Sequence, residues 1–192
     1  MSPVPQLLVL TGAPASGKTR LAARLERHYG ACRCSKDEIK ELLFDALGER
    51  DPQWSRQLSN ASFALLFAYA PRLLSVQRLL LMEGNFRPGE HEAALQAVVS
   101  VSTAGLAQIL CQADAATCAS RLAARADDPS RHPGHRDREP DATGAQRAGF
   151  LDLTGPRWIF NSDAQGDDEW LELCRRIDCW RDAGPRAPGR KP

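Results

Sequence analysis

Apolar residues along this chain alternate between two periods. Short, mostly apolar runs at Gln6–Leu10, Cys32–Ser35, Arg78–Met82, Gly105–Cys111 and Trp158–Phe160 have the length and flanking turn residues of buried strands. Between them the period lengthens to that of a helix. Leu21, Ala22, Leu25 and Tyr29 share one helical face, Arg20, Arg24 and Arg27 the other, and Gly30 stops the pattern. Further helices are predicted over Lys36–Leu47, closed by Gly48, over Pro88–Ser100, over Asp114–Ala126 behind an acidic cap, and over Asp167–Asp182. Ser55–Gln77 also reads as helical, with Pro71 implying a kink or break. Strand and helix alternate from end to end, which predicts an α/β fold: a doubly wound, mostly parallel sheet with helices on both faces. Residues 127–143, charged and interrupted by Pro129, Pro133 and Pro140, are expected to form a surface loop, and the Pro-, Gly- and base-rich stretch 184–192 a disordered tail.

Such sheets bind ligands at the carboxyl ends of their strands. There the first run meets Gly12-Ala13-Pro14-Ala15-Ser16-Gly17-Lys18-Thr19, a complete G-x-x-x-x-G-K-[ST] pattern between a strand and a helix. A glycine-bearing turn of this kind points successive backbone N–H groups into one concavity, and the helix behind it adds its positive end. Lys18 would reach the outer phosphates of a nucleotide and the Thr19 hydroxyl would bind Mg2+. The cradle alone does not separate a kinase from a GTPase or a motor ATPase. No Asn-Lys-x-Asp base-reading run is present, which argues against a GTPase, and 192 residues leave little room for the helical lid domain of a ring-forming ATPase.

Composition narrows the setting. At 43% hydrophobic and 26% charged residues the chain has an ordinary globular mix, and its length suits one domain. Lys and Arg number 25 against 24 Asp and Glu, a net charge of +1, so nothing global points to nucleic acid or a membrane surface. Met1–Gln6 carries no basic cluster, Leu7–Leu10 is too short for a signal-peptide core, and the longest apolar run, Phe63–Ala70, is too short for a membrane helix. The expected location is cytoplasmic. The cysteines, spaced C-x-C at Cys32 and Cys34 and C-x4-C at Cys174 and Cys179, do not match zinc hooks and are expected to be reduced, mostly buried thiols.

Three further clusters carry candidate chemistry. Ser35-Lys36-Asp37 follows the second strand, where the Asp37 carboxylate would face the γ-phosphate and accept the proton of an attacking hydroxyl, or simply cap the next helix. Glu83-Gly84-Asn85 ends the third strand, placing Glu83 to hold the Mg2+ water shell or an acceptor hydroxyl, with Asn85 and Arg87 beside it. Arg121, Arg125, Arg131, Arg136, Arg138 and Arg147 crowd one stretch, with Arg121 and Arg125 on one helix face, as a mobile flap over transferring phosphate would require. Asp127, Asp128, Asp137, Glu139 and Asp141 offset that charge, as they would in a solvated loop. His132 and His135 are spaced H-x-x-H but lack a third ligand, so a metal site is not expected there.

Taken together, Leu8–Thr19, Ser35–Ile39, Met82–Phe86, Ala113-Asp114 and Arg131–His135 resemble the zeta-toxin and polynucleotide-kinase-like group of P-loop kinases, chains often labelled AAA-family ATPases; the resemblance spans about Leu7–Asp163. It implies a P-loop NTPase core with a five-stranded parallel sheet and a small arginine-rich lid, here about 121–147 of a kinase domain covering 1–183. It also implies that Asp37 deprotonates the acceptor, that Arg121 and Arg125 are lid residues touching adenine and phosphates, and that Arg131 is another lid arginine. Lys36 stands where polynucleotide kinases carry Arg, and Glu83 where they carry Asp. The expected activity is ATP- and Mg2+-dependent transfer of the γ-phosphoryl group to a hydroxyl. Lys18, Asp37, Arg121 and Arg125 are the expected catalytic residues, and Gly12–Thr19 with the lid arginines the donor site. A small-molecule acceptor is favoured over a 5′-hydroxyl of RNA or DNA, and a nucleotide-binding or ATPase module without an acceptor is the third reading.

Overall fold

A computed structural model describes residues 4–126, 128–129, 131–134 and 148–183. Among them are five strands and six helices, in the order β1 (Gln6–Gly12), α1 (Lys18–Tyr29), β2 (Cys32–Ser35), α2 (Lys36–Leu47), α3 (Pro52–Val76), β3 (Leu79–Glu83), α4 (Glu92–Ser102), β4 (Gly105–Gln112), α5 (Ala115–Ala126), β5 (Arg157–Asn161) and α6 (Asp168–Ala183). The strands form one all-parallel sheet in the order β2-β3-β1-β4-β5. This is the doubly wound, five-stranded P-loop architecture expected from the alternating pattern.

β1 is central and buried along its whole length, and its two faces feed two cores. Leu8 and Leu10 pack with Leu21 and Leu25 of α1 and Trp170 and Ile177 of α6. Leu7 and Val9 pack on the other side with Leu66 and Leu74 of α3 and Leu95 and Val98 of α4. α1 begins at Gly17, a left-handed cap with φ 93°, and ends at Gly30, also left-handed at φ 61°.

Two predicted boundaries are corrected, and of the kink or break expected at Pro71 the break is absent. α3 begins at Pro52 rather than Ser55, because Asp51 caps it by accepting from the Trp54 N–H at 2.8 Å. It also continues through Pro71 without a break, held to the sheet by buried Leu66, Ala70 and Leu74 around that point. α4 begins at Glu92 rather than Pro88, because residues 87–90 close a turn through the Glu90 N–H to the Arg87 carbonyl. The cysteines are all free, but only Cys111 and Cys174 are buried, and Cys179 is exposed. No described helix is long and apolar enough to cross a membrane. Residues 135–147, which hold His135, Arg136, Arg138 and Arg147, lie outside the described residues, as do Asp127 and the stretch 184–192.

Candidate active site

Register brings the chemistry together. Leu10 of β1 and Ser35 of β2 both lie opposite Glu83 of β3, and Gly12 lies opposite Cys111 of β4, so residues distant in sequence share one edge of the sheet. The turn Gly12–Gly17 leaves that edge and enters α1. Only glycine fits its first position: a Cβ on Gly12 would come within 2.2 Å of the Cys111 carbonyl oxygen. At Gly17 the left-handed backbone and Ser162, whose Cβ would lie 3.0 Å away, impose the same choice. Ala15 is held left-handed at φ 60°, a conformation that side chains rarely adopt and that is concentrated at functional turns.

The turn is braced from behind. Arg121 of α5 donates to the Ala15 carbonyl at 3.3 Å and to Ser162 Oγ at 3.0 Å, and pairs with Asp163 at 3.1 Å. Cys111 Sγ donates to the Ser16 carbonyl at 3.0 Å, and burial pushes that thiol up from its ordinary 9.0 to about 11. Within the turn, Lys18 Nζ donates to the carbonyls of Gly12 at 2.9 Å and Ala13 at 2.7 Å. Burial lowers the Lys18 pKa below its usual value, opposed chiefly by the nearby Asp37 carboxylate.

Thr19 donates its hydroxyl to Glu83 Oε1 at 2.7 Å. Glu83 is 2% exposed, and burial raises its pKa above the usual 4.5 despite the Thr19 hydrogen bond. Its second oxygen, Oε2, is buried without a hydrogen-bond partner, 3.5 Å from an equally unbonded Nη1 of Arg33. Arg33 is held further by Glu26 at 3.0 Å and by Glu38. A hydroxyl and a carboxylate at the mouth of a phosphate cradle, one carboxylate oxygen unsatisfied, are the hard oxygen donors that Mg2+ takes, and the few protein ligands suit an ion completed by substrate phosphate and water. The residues therefore fit a magnesium nucleotide. No cluster of three or more His, Cys, Asp or Glu suited to a metal occurs among the described residues.

These groups open onto a cavity of about 860 Å3. One side is the cradle, with Ala15, Gly17, Lys18 and Thr19. The first turns of α2 contribute Asp37, Glu38 and Glu41 to its lining, and Asn85, after β3, lines it too. Asn85 Oδ1 is itself buried without a partner. Arg125, Asp128, Arg131 and His132 complete the lining named here. Ser35 caps α2 by accepting from the Glu38 N–H at 3.5 Å, so the structural reading of this stretch also holds, but with Ser35 rather than Asp37 as the cap.

Of the residues singled out in the sequence, Pro14, Ala15, Gly17, Lys18 and Thr19 of the cradle meet Asp37, Asn85, Arg125, Arg131 and His132 around one space. Glu83 sits just beneath it through Thr19. Arg121 is turned into the brace. Arg87 is not among the lining residues; it pairs with Glu90 at 3.6 Å, and its backbone N–H donates to His91. His132 binds no described histidine: its Nε2 lies 3.0 Å from Asp45 Oδ1 and its ring meets Phe44 edge-on. Ser162 and Asp163 escaped the sequence reading, and their only signal was a polar pair directly after the last strand.

The parallel sheet and the glycine-bearing turn that leaves its central strand give the chain a P-loop kinase-like fold. Residues 7–148 match the AAA domain family, and the chain belongs to it. It is similar to a candidate kinase of Chloroflexus aurantiacus, at 30% identity and a TM-score of 0.80 over 91% of this chain and 98% of that one. The fold alone is shared with the APS kinase CysC of Mycobacterium tuberculosis, solved with AMPPNP and APS, at 18% identity and a TM-score of 0.57 over 92% of this chain and 99% of that one. It is shared again with a chain of the Pnkp1/Rnl/Hen1 RNA repair complex, at 20% identity and a TM-score of 0.52, covering 76% of this chain and 45% of that one. No curated protein matches the sequence.

Proposed function

We propose that this protein is an ATP- and Mg2+-dependent kinase that phosphorylates a hydroxyl of a small molecule, with residues 121–147 as its lid. The observation that carries the reading is that Lys18, at the end of the glycine-bearing turn, and Asp37, in the first turn of α2, line the same cavity. The cradle amides and Lys18 hold the β- and γ-phosphates, with Lys18 giving up its two carbonyl partners for phosphate oxygens. Thr19 and Glu83 hold Mg2+, which when bound neutralises charge on the phosphates. Asp37 accepts the proton of the acceptor hydroxyl as its oxygen forms a bond to Pγ. The bond from Pγ to the β,γ-bridging oxygen breaks, and ADP leaves. Arg125 and Arg131 balance charge on the equatorial oxygens.

The placement of the arginines supports a small acceptor over a polynucleotide. A 5′-hydroxyl substrate brings a phosphodiester chain that needs cations. Arg33 is committed to Glu26, Glu38 and Glu83, and Arg87 pairs with Glu90 away from the cavity lining. Release of ADP from Mg-ATP, scanned over nucleosides, sugars, amino alcohols and 5′-hydroxyl oligonucleotides, tests the reading. Stimulation by a small alcohol that hardly changes between low and moderate salt is the expected result. Stimulation only by oligonucleotides, falling steeply with salt, would transfer the assignment to a polynucleotide kinase, and no stimulation by any member would leave an ATPase module.

A further inference from the structure

Glu83 is a carboxylate taken almost wholly out of water, and a charge so placed needs partners inside the protein for both of its oxygens. Thr19 supplies one, at Oε1. A single hydrogen bond does not fix a carboxylate, because its last torsion is broad and roughly two-fold. The group facing the other oxygen is Arg33, the second residue of β2. Its Nη1 lies 3.5 Å from Oε2, and both atoms are buried with no hydrogen-bond partner among the described residues. Register explains the meeting: Ser35 lies opposite Glu83, so Arg33, two positions earlier, emerges on the same face of the sheet, the face that α1 covers.

The guanidinium is held in turn by carboxylates from two other elements. Nε donates to Glu26 of α1 at 3.0 Å, and Nη2 donates to Glu38 of α2. Those two glutamates are 42% and 50% exposed, so the pairs add little stability by themselves. Their effect is directional: a planar fork held at Nε and Nη2 presents Nη1 in one direction only, toward Glu83. We propose that Arg33 is a positioning residue for the magnesium nucleotide: tethered to α1 and α2, it holds the Oε2 side of Glu83 and so keeps Oε1 turned to Thr19 at the mouth of the cradle. The inference rests on the reading of Thr19 and Glu83 as magnesium ligands. Loss of a group that orients a metal ligand in this way costs about 10- to 100-fold in metal affinity. The nucleotide itself is gripped by the cradle amides and Lys18, none of them a partner of Arg33, so binding without magnesium is the internal control.

The full-length protein is compared with Arg33→Met, Arg33→Lys, Glu83→Gln and the double variant Arg33→Met/Glu83→Gln. The dissociation constant of a non-hydrolysable ATP analogue is measured by calorimetry, once with Mg2+ and once with EDTA, and the ratio of the two is the magnesium gain. In Arg33→Met the gain is expected to fall on the order of 10-fold, with the constant in EDTA at the parent value. Arg33→Lys keeps the charge and loses the fork, so its gain falls between parent and Arg33→Met. That milder change answers the question if Arg33→Met does not fold. The double variant has no smaller a gain than Glu83→Gln alone, because without the carboxylate there is nothing to hold. A parent-like gain in either arginine variant, equal weakening in EDTA and in Mg2+, or effects of the two substitutions that add would each overturn the positioning role. So would a larger gain in Arg33→Met, which would mean that the guanidinium merely competes with the ion for Glu83. A parent-like gain in Glu83→Gln would overturn the ligand reading instead, and the role of Arg33 with it.

Discussion

The Thr19 hydroxyl donates to Glu83 Oε1 across 2.7 Å, tying the first turn of α1 to the end of β3, 64 positions further along the chain. That contact places the two proposed magnesium ligands side by side before any ion arrives. Thr19→Ala and Glu83→Gln should therefore raise the Mg2+ concentration needed for half-maximal ADP release by on the order of 10-fold or more. Binding of ATP without magnesium should change little. An unchanged magnesium dependence in both variants would remove the pair from the metal site.

Lys18 and Asp37 should fail in different ways. Lys18→Ala removes the only described ammonium that contacts the cradle carbonyls, and is expected to abolish detectable ATP binding by calorimetry. Asp37→Asn leaves the cradle intact, so ATP should bind as in the parent while ADP release falls on the order of 100-fold or more. Loss of ATP binding in Asp37→Asn would show that the residue supports the nucleotide rather than the acceptor.

Gly12→Ala should be costly even without nucleotide. The added methyl would lie 2.2 Å from the Cys111 carbonyl, a backbone atom that can move only with β4. A loss of about 1–3 kcal/mol is expected, or a few degrees in melting temperature for a chain of this size. Gly30→Ala serves as the comparison: nothing lies within 4 Å of the methyl it would add, so it carries only the left-handed backbone cost.

Cys111 gives a pH signature. Its folded-state pKa of about 11 lies above the ordinary 9.0, so between those values the unfolded chain has released a proton that the folded protein retains. Its contribution is therefore complete below about pH 9 and is lost as pH rises toward 11. Thermal melts across that window should show a decline that shrinks in Cys111→Ala. At neutral pH a thiol reagent should modify exposed Cys179 first and leave Cys111 unreacted.

The cradle and most helix limits were legible because local chemistry fixes them, as the glycines with left-handed backbone at 17 and 30 do for α1; the cap of α2 was misplaced by two residues, on Asp37 instead of Ser35. The start of α4 was not legible, because His91 Nδ1 takes the Arg87 N–H at 2.9 Å and Glu92 takes that of Gly89, closing a turn where Pro88 would otherwise open a helix. The candidate site was legible as a set of motifs but not as an arrangement. That Arg33 pairs with Glu83, that Arg121 braces Ala15, and that Lys36 is buried all depend on which strands become neighbours. Periodicity carries no record of that. The same local spacing left Arg87 beside Asn85 in sequence while the fold turns it toward Glu90.

The strand order separates the two halves of the proposed reaction along the polypeptide. β2 and β3 are neighbours in the sheet, and everything between them, α2 and α3, forms an excursion that leaves at Ser35 and returns at Leu79. In the proposed reaction the donor is gripped by the turn that follows the central strand, while Asp37, which would meet an alcohol, is carried on that excursion. Exchanging one alcohol for another then calls for rewriting a single detachable cassette, and the machinery that handles the nucleotide can stay as it is.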